Sequence, residues 1–336
     1  MIVTVNSIAS DQDAEVSRLI AALQVNGRAT AEELAAALRL SSTRVRRLLS
    51  ALSAGGGLRV VAAPPSTAGA EVTVLRIRVL RGKLEPLTAA LARQPQVHFI
   101  DVSRAGDEIC AVVVAEPDHR DRFVLEQLPA TSAVTAATAQ TVLHGFADAW
   151  DWRLHALTET EATALRVAVQ PADGYRLDDT DHRLLDSLRH DARTPAARLA
   201  HMIGIPESTA RRRIHRLIAH GLLRTRVIVD PHLLGLHVDA NLYLRVAPAD
   251  LHTTGEALAR HPAVHGAAAT TGPTNLQIAL WLRDLGELYR FLTVELARYP
   301  VTDVETVLIG RAVKRGDYPA LRAPTPDTNY GSVAAE

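Results

Sequence analysis

Hydrophobic and polar residues follow the same pattern twice along this chain. Segment 34–58 aligns without a gap on segment 199–223, at a constant separation of 165 residues. A second pair of segments, 90–98 and 257–265, matches at a separation of 167 residues. Repetition of this kind indicates that one structural unit occurs twice. A prediction made on one copy can therefore be checked on the other.

The first part of each copy has the periodicity of short helices. In the second copy, Asp178 or Asp179 can cap a helix, and Thr194-Pro195 is typical of an N-cap followed by the first helical position. A third helix is predicted over 206–220, where apolar residues recur at helical spacing. Small residues stand where the last two helices would cross and turn, at Ala200, Gly204 and Ala210. This pattern predicts a helix-turn-helix.

The first copy repeats the plan with two differences. Thr30 and Glu33 form a capping-box pattern, but Arg39 stands where the second copy has Gly204. A loose run of glycines, 55–57, precedes the predicted strand. In the second copy the corresponding strand is predicted over 222–229.

The second part of each copy alternates apolar and polar residues with period two, which predicts half-buried strands. The predicted order is β-α-β-β-α-β, with the second helix at 118–128 in the first copy and 285–298 in the second. That order is the ferredoxin-like split motif, an antiparallel sheet with helices on one face. The other face still carries apolar residues, so we expect it to pair with another such sheet.

The predicted fold class is α+β, with two winged helix-turn-helix domains and two ferredoxin-like domains in tandem. The predicted boundaries are 11–64 for the first, less well preserved winged helix-turn-helix, 70–147 for the first ferredoxin-like domain, 148–176 for a connector, 177–235 for the second winged helix-turn-helix, 236–318 for the second ferredoxin-like domain, and 319–336 for a disordered tail.

Composition and charge narrow the class of protein. The chain is 47% hydrophobic and 22% charged, as in a globular protein, and no apolar run approaches the ~18–20 residues of a membrane span. Cys110 is the single cysteine, so we expect a reducing, cytoplasmic setting and no membrane partner. Residues 176–232 contain eleven arginines and seven acidic residues, although the whole chain is neutral. This local excess favours an anionic partner.

The sequence over 204–217, followed by 221–223 and 229–235, resembles the Lrp/AsnC family of bacterial transcription regulators. The resemblance covers 177–316 strongly and 15–146 weakly, which indicates a double-length member. It implies a winged helix-turn-helix followed by a ferredoxin-like domain. In the family the latter dimerises through its sheets and binds small effectors, often amino acids, between subunits.

Double-stranded DNA is the predicted partner of the two third helices. Arginine suits both phosphate oxygens and the edge of guanine, and hydroxyls near a helix start can donate to phosphate. A solvated basic face without a partner is the alternative, but the helix-turn-helix spacing and its repetition favour DNA. The predicted DNA-contact residues are Ser208, Thr209, Arg211, Arg212, Arg213, His215, Arg216, Arg224 and Arg226, with Ser42, Thr43, Arg44, Arg46 and Arg47 in the first copy.

A small-molecule effector is predicted at a hairpin loop of each ferredoxin-like domain. The residues are Thr271, Gly272, Thr274 and Asn275 in the second copy and Gly106, Asp107 and Glu108 in the first. In the family this loop ends in an aspartate, and Asn275 replaces it here with a neutral amide. A ligand ammonium group would thereby lose its charge partner. An ordinary hairpin turn is the alternative.

No catalytic residue, metal site or cofactor is predicted, since no His, Cys and Asp cluster has ligand spacing. Two other functions stay open. Siroheme decarboxylases resemble the same family, and such an enzyme would use His98 and His265, although Gly272-Pro273 stands where a further histidine would be expected. The other is an amino-acid-sensing assembly module that has lost DNA binding. For a regulator, we expect self-assembly through the sheets and a quasi-palindromic or asymmetric DNA site.

Overall fold

The computed structural model describes residues 8–63, 70–80, 82–115, 132–170, 175–316 and 318–321. Its helices are α1 (Ile8–Val25), α2 (Ala31–Leu38), α3 (Ser42–Ala54), α4 (Leu84–Ala92), α5 (Glu159–Leu165), α6 (Asp179–Leu188), α7 (Ala196–Ile203), α8 (Glu207–Ala219), α9 (Leu251–Ala259) and α10 (Leu285–Arg290), the last extended by π and 3-10 turns to Arg298.

The strands are β1 (Leu58–Ala62), β2 (Glu71–Val79), β3 (Val97–Ser103), β4 (Glu108–Ala115), β5 (Val134–Ala147), β6 (Thr225–Val229), β7 (Val238–Val246), β8 (Val264–Thr270), β9 (Leu276–Leu282), β10 (Val301–Arg315) and β11 (Tyr318–Pro319). The helix predicted over 118–128 lies outside the described residues, as does the predicted tail from residue 322 onward. Residues 319–321 of that tail are described, and Pro319 is part of β11.

Two three-helix modules form as the local sequence signals predict. The first module is α1–α3 with β1, and the second module is α6–α8 with β6. Capping boxes start α2 at Thr30 and α6 at Asp178. Helix α7 begins one residue later than predicted, with Pro195 as its N-cap, because the Thr194 hydroxyl donates to Asp191 and so ends the preceding turn.

The two modules are joined by an approximately symmetric contact. A single hydrophobic core contains buried leucines of both modules. The Arg28 guanidinium donates to the carbonyls of Ala192 and Thr194, and in the opposite direction Arg193 donates to the Gly27 carbonyl at 2.7 Å. Burial lowers the pKa of both arginines.

Each module contributes one wing strand to a shared sheet. Strand β1 pairs antiparallel with β6, with Val60 opposite Val227. Each wing is predicted above as part of its own domain. In the structure the wing strands instead hold the two helix-turn-helix units together.

The remaining strands form one closed barrel. Their order is β10-β3-β4-β2-β5-β8-β9-β7, and β7 pairs with β10 again, so eight antiparallel strands close on themselves while β11 pairs with β10 outside the ring. The two predicted sheets therefore join through their edges within one chain, which the sequence pattern did not predict.

The long strands β5 and β10 explain this closure. Strand β10 pairs with β7 over 301–309 and with β3 over 309–315. Strand β5 pairs with β2 up to Thr141 and with β8 from Val142. Each of these strands therefore belongs to one half of the barrel at its start and to the other half at its end.

Helices cover the outside of the barrel. Side chains such as Leu242, Ile278 and Phe291 form the core between the strands and helices of the second half. Leu75, Ile100 and Leu87 do the same in the first half. Because side chains alternate along a strand, the positions between these core residues face the inside of the barrel.

Candidate nucleic-acid interface

Helix α8 has one buried face and one basic face. Ala210, Ile214 and Leu217 are buried in the core shared by the two modules. The exposed side carries polar and basic residues over its whole length, Ser208, Arg211, Arg212, His215 and Arg216, with Thr209 half-buried. Gly204 ends the preceding helix with φ 72°, which a residue without Cβ adopts at little cost. This is the arrangement of a recognition helix presented to solvent.

The arginines of α8 have different surroundings. Arg212 is exposed and makes no hydrogen bond or ion pair with the described residues, whereas Arg211 pairs with Glu207 at 2.5 Å on the same helix. Arg216 lies over the ring of Tyr175, 4.9 Å from its centroid, and its Nε donates to the tyrosine hydroxyl at 3.1 Å. These exposed arginines can all reach a ligand outside the module.

The Arg213 side chain, in contrast, is bound within its own module. Its guanidinium pairs with Asp178 at 2.7 Å and with Asp181 at 2.9 Å, and Asp181 is only 1% exposed. Hydrogen bonds to Asp181 and Asp178 raise the pKa of Arg213. This side chain ties α8 to the start of α6, and a DNA contact of Arg213 stays a prediction.

The wing arginines also differ from each other. Arg224 is exposed just before β6. Arg226 lies over the ring of Trp150 at 5.0 Å, and burial lowers the pKa of its guanidinium. Arg226 therefore contacts the connector instead of standing free beside the recognition helix, and its DNA contact stays a prediction.

Helix α3 of the first module offers fewer free cations. Arg46 pairs with Glu32, and Arg44 pairs with Glu15 at 2.7 Å. Arg47 is exposed, as is Thr43, while Ser42 is half-buried. The two acidic partners offset much of the positive charge that the sequence analysis assigned to this helix.

The predicted effector loop lies at the joint between the barrel halves. Gln140 of β5 donates from Nε2 to the carbonyls of Thr271 and Thr274, at 2.6 and 2.8 Å. The Asn275 side chain both accepts from and donates to the Val246 backbone, at 2.9 and 2.8 Å. A shallow pocket of about 330 Å³ beside the loop is lined by Gly272 and Asn275.

The equivalent residues of the first half do not form a matching site. Gly106 has φ 74° at the tip of the β3–β4 hairpin, and Asp107 accepts from the Ser103 hydroxyl at 3.0 Å. Glu108 is buried on β4, where its carboxylate pairs with Arg76 at 2.6 Å. Because this carboxylate is already bound to Arg76, an effector contact of Glu108 stays a prediction.

A large internal cavity lies along the axis between the barrel and the wing sheet. This chamber has a volume of about 2320 Å³ and is lined by residues of all eight barrel strands, of β6 and of the connector. Its lining includes His98 and His265, the two histidines singled out by the sequence analysis. It also includes four residues that the sequence analysis missed: Asp101, Asp239, Trp281 and Arg315. Polar residues alternating with buried apolar ones, as in Asp239–Asn241, were the signal that could have located them.

Comparison with known proteins identifies the family. The profile of the AsnC-type helix-turn-helix domain matches residues 177–218, and that of the Lrp/AsnC ligand binding domain matches residues 240–319. An uncharacterised HTH-type transcriptional regulator of Pyrococcus abyssi is 30% identical over 143 residues, which make up 42% of this chain and 90% of that protein. The chain belongs to the Lrp/AsnC family. The matched profiles place both the basic helix α8 and the loop at 271–275 inside Lrp/AsnC domains.

Two further similarities extend this result. The glutamate uptake regulatory protein of Zymomonas mobilis is 27% identical over 158 residues, 46% of this chain and 94% of that protein. The crystal structure of the siroheme decarboxylase NirDL covers 90% of this chain and 93% of that chain, with a TM-score of 0.54 and 14% identity. At that identity the likeness to NirDL concerns the fold alone.

Among the residues that the structure describes, no three His, Cys, Asp or Glu side chains are grouped so that they could hold a metal ion. None of the described helices combines the length and apolar character needed to cross a membrane.

Proposed function

We propose that this Lrp/AsnC protein is a sequence-specific, DNA-binding transcription regulator in which one chain carries two helix-turn-helix units. The observation that carries this proposal is the exposed basic face of α8, whose opposite face is buried by Ala210, Ile214 and Leu217. Arg211, Arg212 and Arg216 are exposed on this helix. The P. abyssi and Z. mobilis relatives are named as regulators, which supports the same function.

We propose further that residues 11–147 are a second Lrp/AsnC unit. The order of elements supports it, because three helices, a strand and a β-α-β-β arrangement occur in both halves. The contacts support it as well, since Arg28 and Arg193 make reciprocal hydrogen bonds between the two modules. The chain would then have the symmetry of a dimer of single-length relatives.

This arrangement has a consequence for the DNA site. The shared core and the β1–β6 pairing fix the two recognition helices relative to each other. Helices related by an approximate two-fold axis read two half-sites separated by about one helical turn or a multiple of it. Because α3 and α8 differ in sequence, we expect an asymmetric or imperfectly palindromic site.

The closed barrel also affects how copies of this chain could associate. The edge strands of both halves are paired within one chain, through β3–β10 and β5–β8. The sheet-mediated dimer expected from the family is thus replaced by a contact inside the molecule. Association of further copies has to use other surfaces.

An effector at the loop Thr271–Asn275 completes the proposal. The pocket of about 330 Å³ beside the loop is next to the joint between the barrel halves, where Gln140 donates a hydrogen bond to the loop. A ligand that binds one arrangement of the two barrel halves better than another would shift the population toward that arrangement. The positions of the helix-turn-helix modules would change with it. A neutral hydrogen-bonding group suits this pocket, because Asn275 offers no charge.

Salt-dependent binding to genomic DNA tests the regulator function. Fragments retained by the purified chain would be sequenced and the bound site footprinted, and the affinity for that site measured at several salt concentrations. Each phosphate contact lowers the slope of log affinity against log salt by about 0.9, so we expect a slope of about −4 or steeper for two bound helices. If the chain retains all DNA fragments equally, or if the slope is near zero, the DNA-binding proposal fails. An amino-acid-sensing assembly module that has lost DNA binding would then describe the protein better.

A siroheme-decarboxylase-like enzyme is the second candidate, favoured by one observation. The chamber of about 2320 Å³ is lined by His98 and His265, and the fold of NirDL matches nearly the whole chain. The competing functions are separated by adding iron-uroporphyrin III to the purified protein. We expect no shift of the porphyrin absorption band. A saturable shift that is lost in the variants His98→Ala and His265→Ala would support the enzyme instead.

A further inference from the structure

We propose that the barrel chamber is a binding site for a protonated arylalkylamine, an aromatic ring that carries its amine on a short alkyl chain, held between the Trp281 and His265 rings and the Asp101–Arg315–Asp239 cluster. This site is distinct from the effector loop at Thr271–Asn275, and its existence does not depend on whether the protein binds DNA. Four features of the chamber support it.

The first feature is the size and composition of the chamber. Ordinary small-molecule sites have volumes of about 300–1,000 Å³, and the chamber, at about 2320 Å³, exceeds that range. Its walls include Asn241 and Gln277 as well as the apolar side chains Val74 and Val142. A chamber with both apolar surface and a few fixed polar groups is the usual composition of a ligand site.

The second feature is an excess of negative charge. Arg315 pairs with Asp101 at 2.5 Å and with Asp239 at 3.4 Å, so two carboxylates share one guanidinium. All three side chains are 14–17% exposed and line the chamber. Over these three side chains two carboxylates face one guanidinium, an excess of one acidic group. Carboxylates so little exposed to solvent attract a cation strongly.

The pKa of Asp101 is consistent with this imbalance. Burial raises the pKa of Asp101, Arg315 lowers it and the nearby Asp239 raises it, and the net result is a pKa of about 6. A ligand cation placed between the two carboxylates would supply the compensating charge that the protein itself lacks.

The third feature is an unsatisfied histidine. The His265 side chain is 9% exposed, and neither Nδ1 nor Nε2 has a hydrogen-bond partner. Its Nε2 lies 3.8 Å from Asp239 Oδ1, beyond hydrogen-bonding distance. Buried polar atoms are almost always paired, so an imidazole of this kind, lining a chamber, indicates that a ligand group or water completes its bonding.

The fourth feature is an aromatic wall. His265 stacks on Trp281 with ring centroids 4.1 Å apart, and Trp152 meets the edge of Trp281 at 5.0 Å. The Trp281 indole nitrogen donates to Asp239 at 3.2 Å, which places the carboxylate at the rim of the ring. Aromatic faces attract both cations and other rings. An aromatic ring that carries a protonated amine on a short alkyl chain can therefore contact the aromatic side chains and the carboxylates at the same time.

An aromatic anion is disfavoured at the same place. Its carboxylate would meet Asp101 and Asp239, and Arg315 is already engaged by both. This difference gives the proposal a direct test with two probes of equal shape and opposite charge, phenethylamine and 3-phenylpropionate.

The test measures binding of each probe to the full chain by calorimetry and by tryptophan fluorescence. All three tryptophans of the protein, Trp150, Trp152 and Trp281, line the chamber, and neither probe contains an indole. At pH 7 we expect saturable binding of phenethylamine with a change in fluorescence. We expect 3-phenylpropionate to bind at least about tenfold more weakly.

Two variants locate the probe and a third serves as control. Asp239→Asn keeps the size of the side chain but removes the excess charge, and we expect phenethylamine affinity to fall about tenfold or more. Ala279→Leu fills space inside the barrel without changing any charge and is expected to reduce the affinity of both probes. Asp186→Asn removes an exposed carboxylate at the far end of the chamber lining and should leave binding unchanged.

The outcomes that overturn the proposal are equally specific. Equal affinities for the two probes would remove the charge argument, and binding that survives Ala279→Leu would place the probe outside the barrel. Circular dichroism of each variant checks that the fold is retained, and the Ala279→Leu result decides the location should Asp239→Asn be unstable. Since no DNA is present, failure here does not bear on the regulator function.

Discussion

The two helix-turn-helix modules have the same backbone arrangement but different chemistry. Helix α8 exposes Arg211, Arg212 and Arg216, of which Arg211 pairs with an acid within the same helix. In α3, Arg44 and Arg46 are paired with Glu15 on α1 and Glu32 on α2. The difference teaches that two modules can preserve a dimer-like framework while the charge for DNA binding is concentrated in one of them.

The largest expected effect is on DNA affinity. The double variant Arg211→Ala/Arg212→Ala removes two exposed cations from α8, and we expect affinity for the footprinted site to fall about 100-fold, or about 3 kcal/mol, since a good contact to a base or phosphate contributes about 1–3 kcal/mol. The double variant Arg46→Ala/Arg47→Ala in α3 should cost less than about tenfold, because Glu32 already neutralises Arg46. Both are measured by fluorescence anisotropy at one salt concentration.

Arg290→Ala is the matched control for this pair. Arg290 is exposed on α10, outside both modules, so its removal changes the net charge without touching a recognition helix. Equal losses from the α3 and α8 variants would show that the modules contribute alike and that the paired acids release their arginines on binding DNA.

The sequence predicted local features well. The capping box at Thr30, the helix cap at Asp178 and the turn at Gly204 all depend on a few adjacent residues. Arg213 shows why other features could not be predicted: its residue type fits a DNA contact, and only the packing of α8 against α6 reveals its pairing with the buried Asp181.

The barrel shows the same limitation on a larger scale. Alternation along β5 and β10 predicts strands but does not show that each strand changes partner at Val142 or near Ile309. The chamber depends on that closure, since Asp101 comes from the first half and Asp239 from the second. Residues more than 100 positions apart in sequence meet there, and no local pattern carries that information.

The second prediction compares the arginines that tie each third helix to the first helix of its module. Arg213→Ala leaves Asp181, 1% exposed, without its cation, and we expect a loss of about 2 kcal/mol in the free energy of unfolding. Arg44 and Glu15 are 24% and 28% exposed, so Arg44→Ala should cost only about 0.5 kcal/mol. Urea unfolding followed by circular dichroism measures both.

The double variant Arg213→Ala/Asp181→Ala separates the ion pair from other losses. If the pair matters mainly because an unpaired buried carboxylate is costly, the double variant should be more stable than Arg213→Ala alone. A double variant that is less stable than either single one would instead show that these side chains contribute through packing.

The smallest effect concerns the residue that ends the second helix of each module. Gly204 and Arg39 both adopt the left-handed conformation, with φ 72° and 55°, and only glycine does so without steric cost. A Cβ at Gly204 would meet nothing within 4 Å, so Gly204→Ala tests backbone strain alone and should cost about 1 kcal/mol. Arg39→Gly relieves that strain but gives the unfolded chain more freedom, so we expect a gain of less than about 1 kcal/mol. Opposite signs in urea unfolding would show that the first module retains a strained turn which the second avoids, whereas a loss in both variants would mean that the Arg39 side chain itself stabilises the first module.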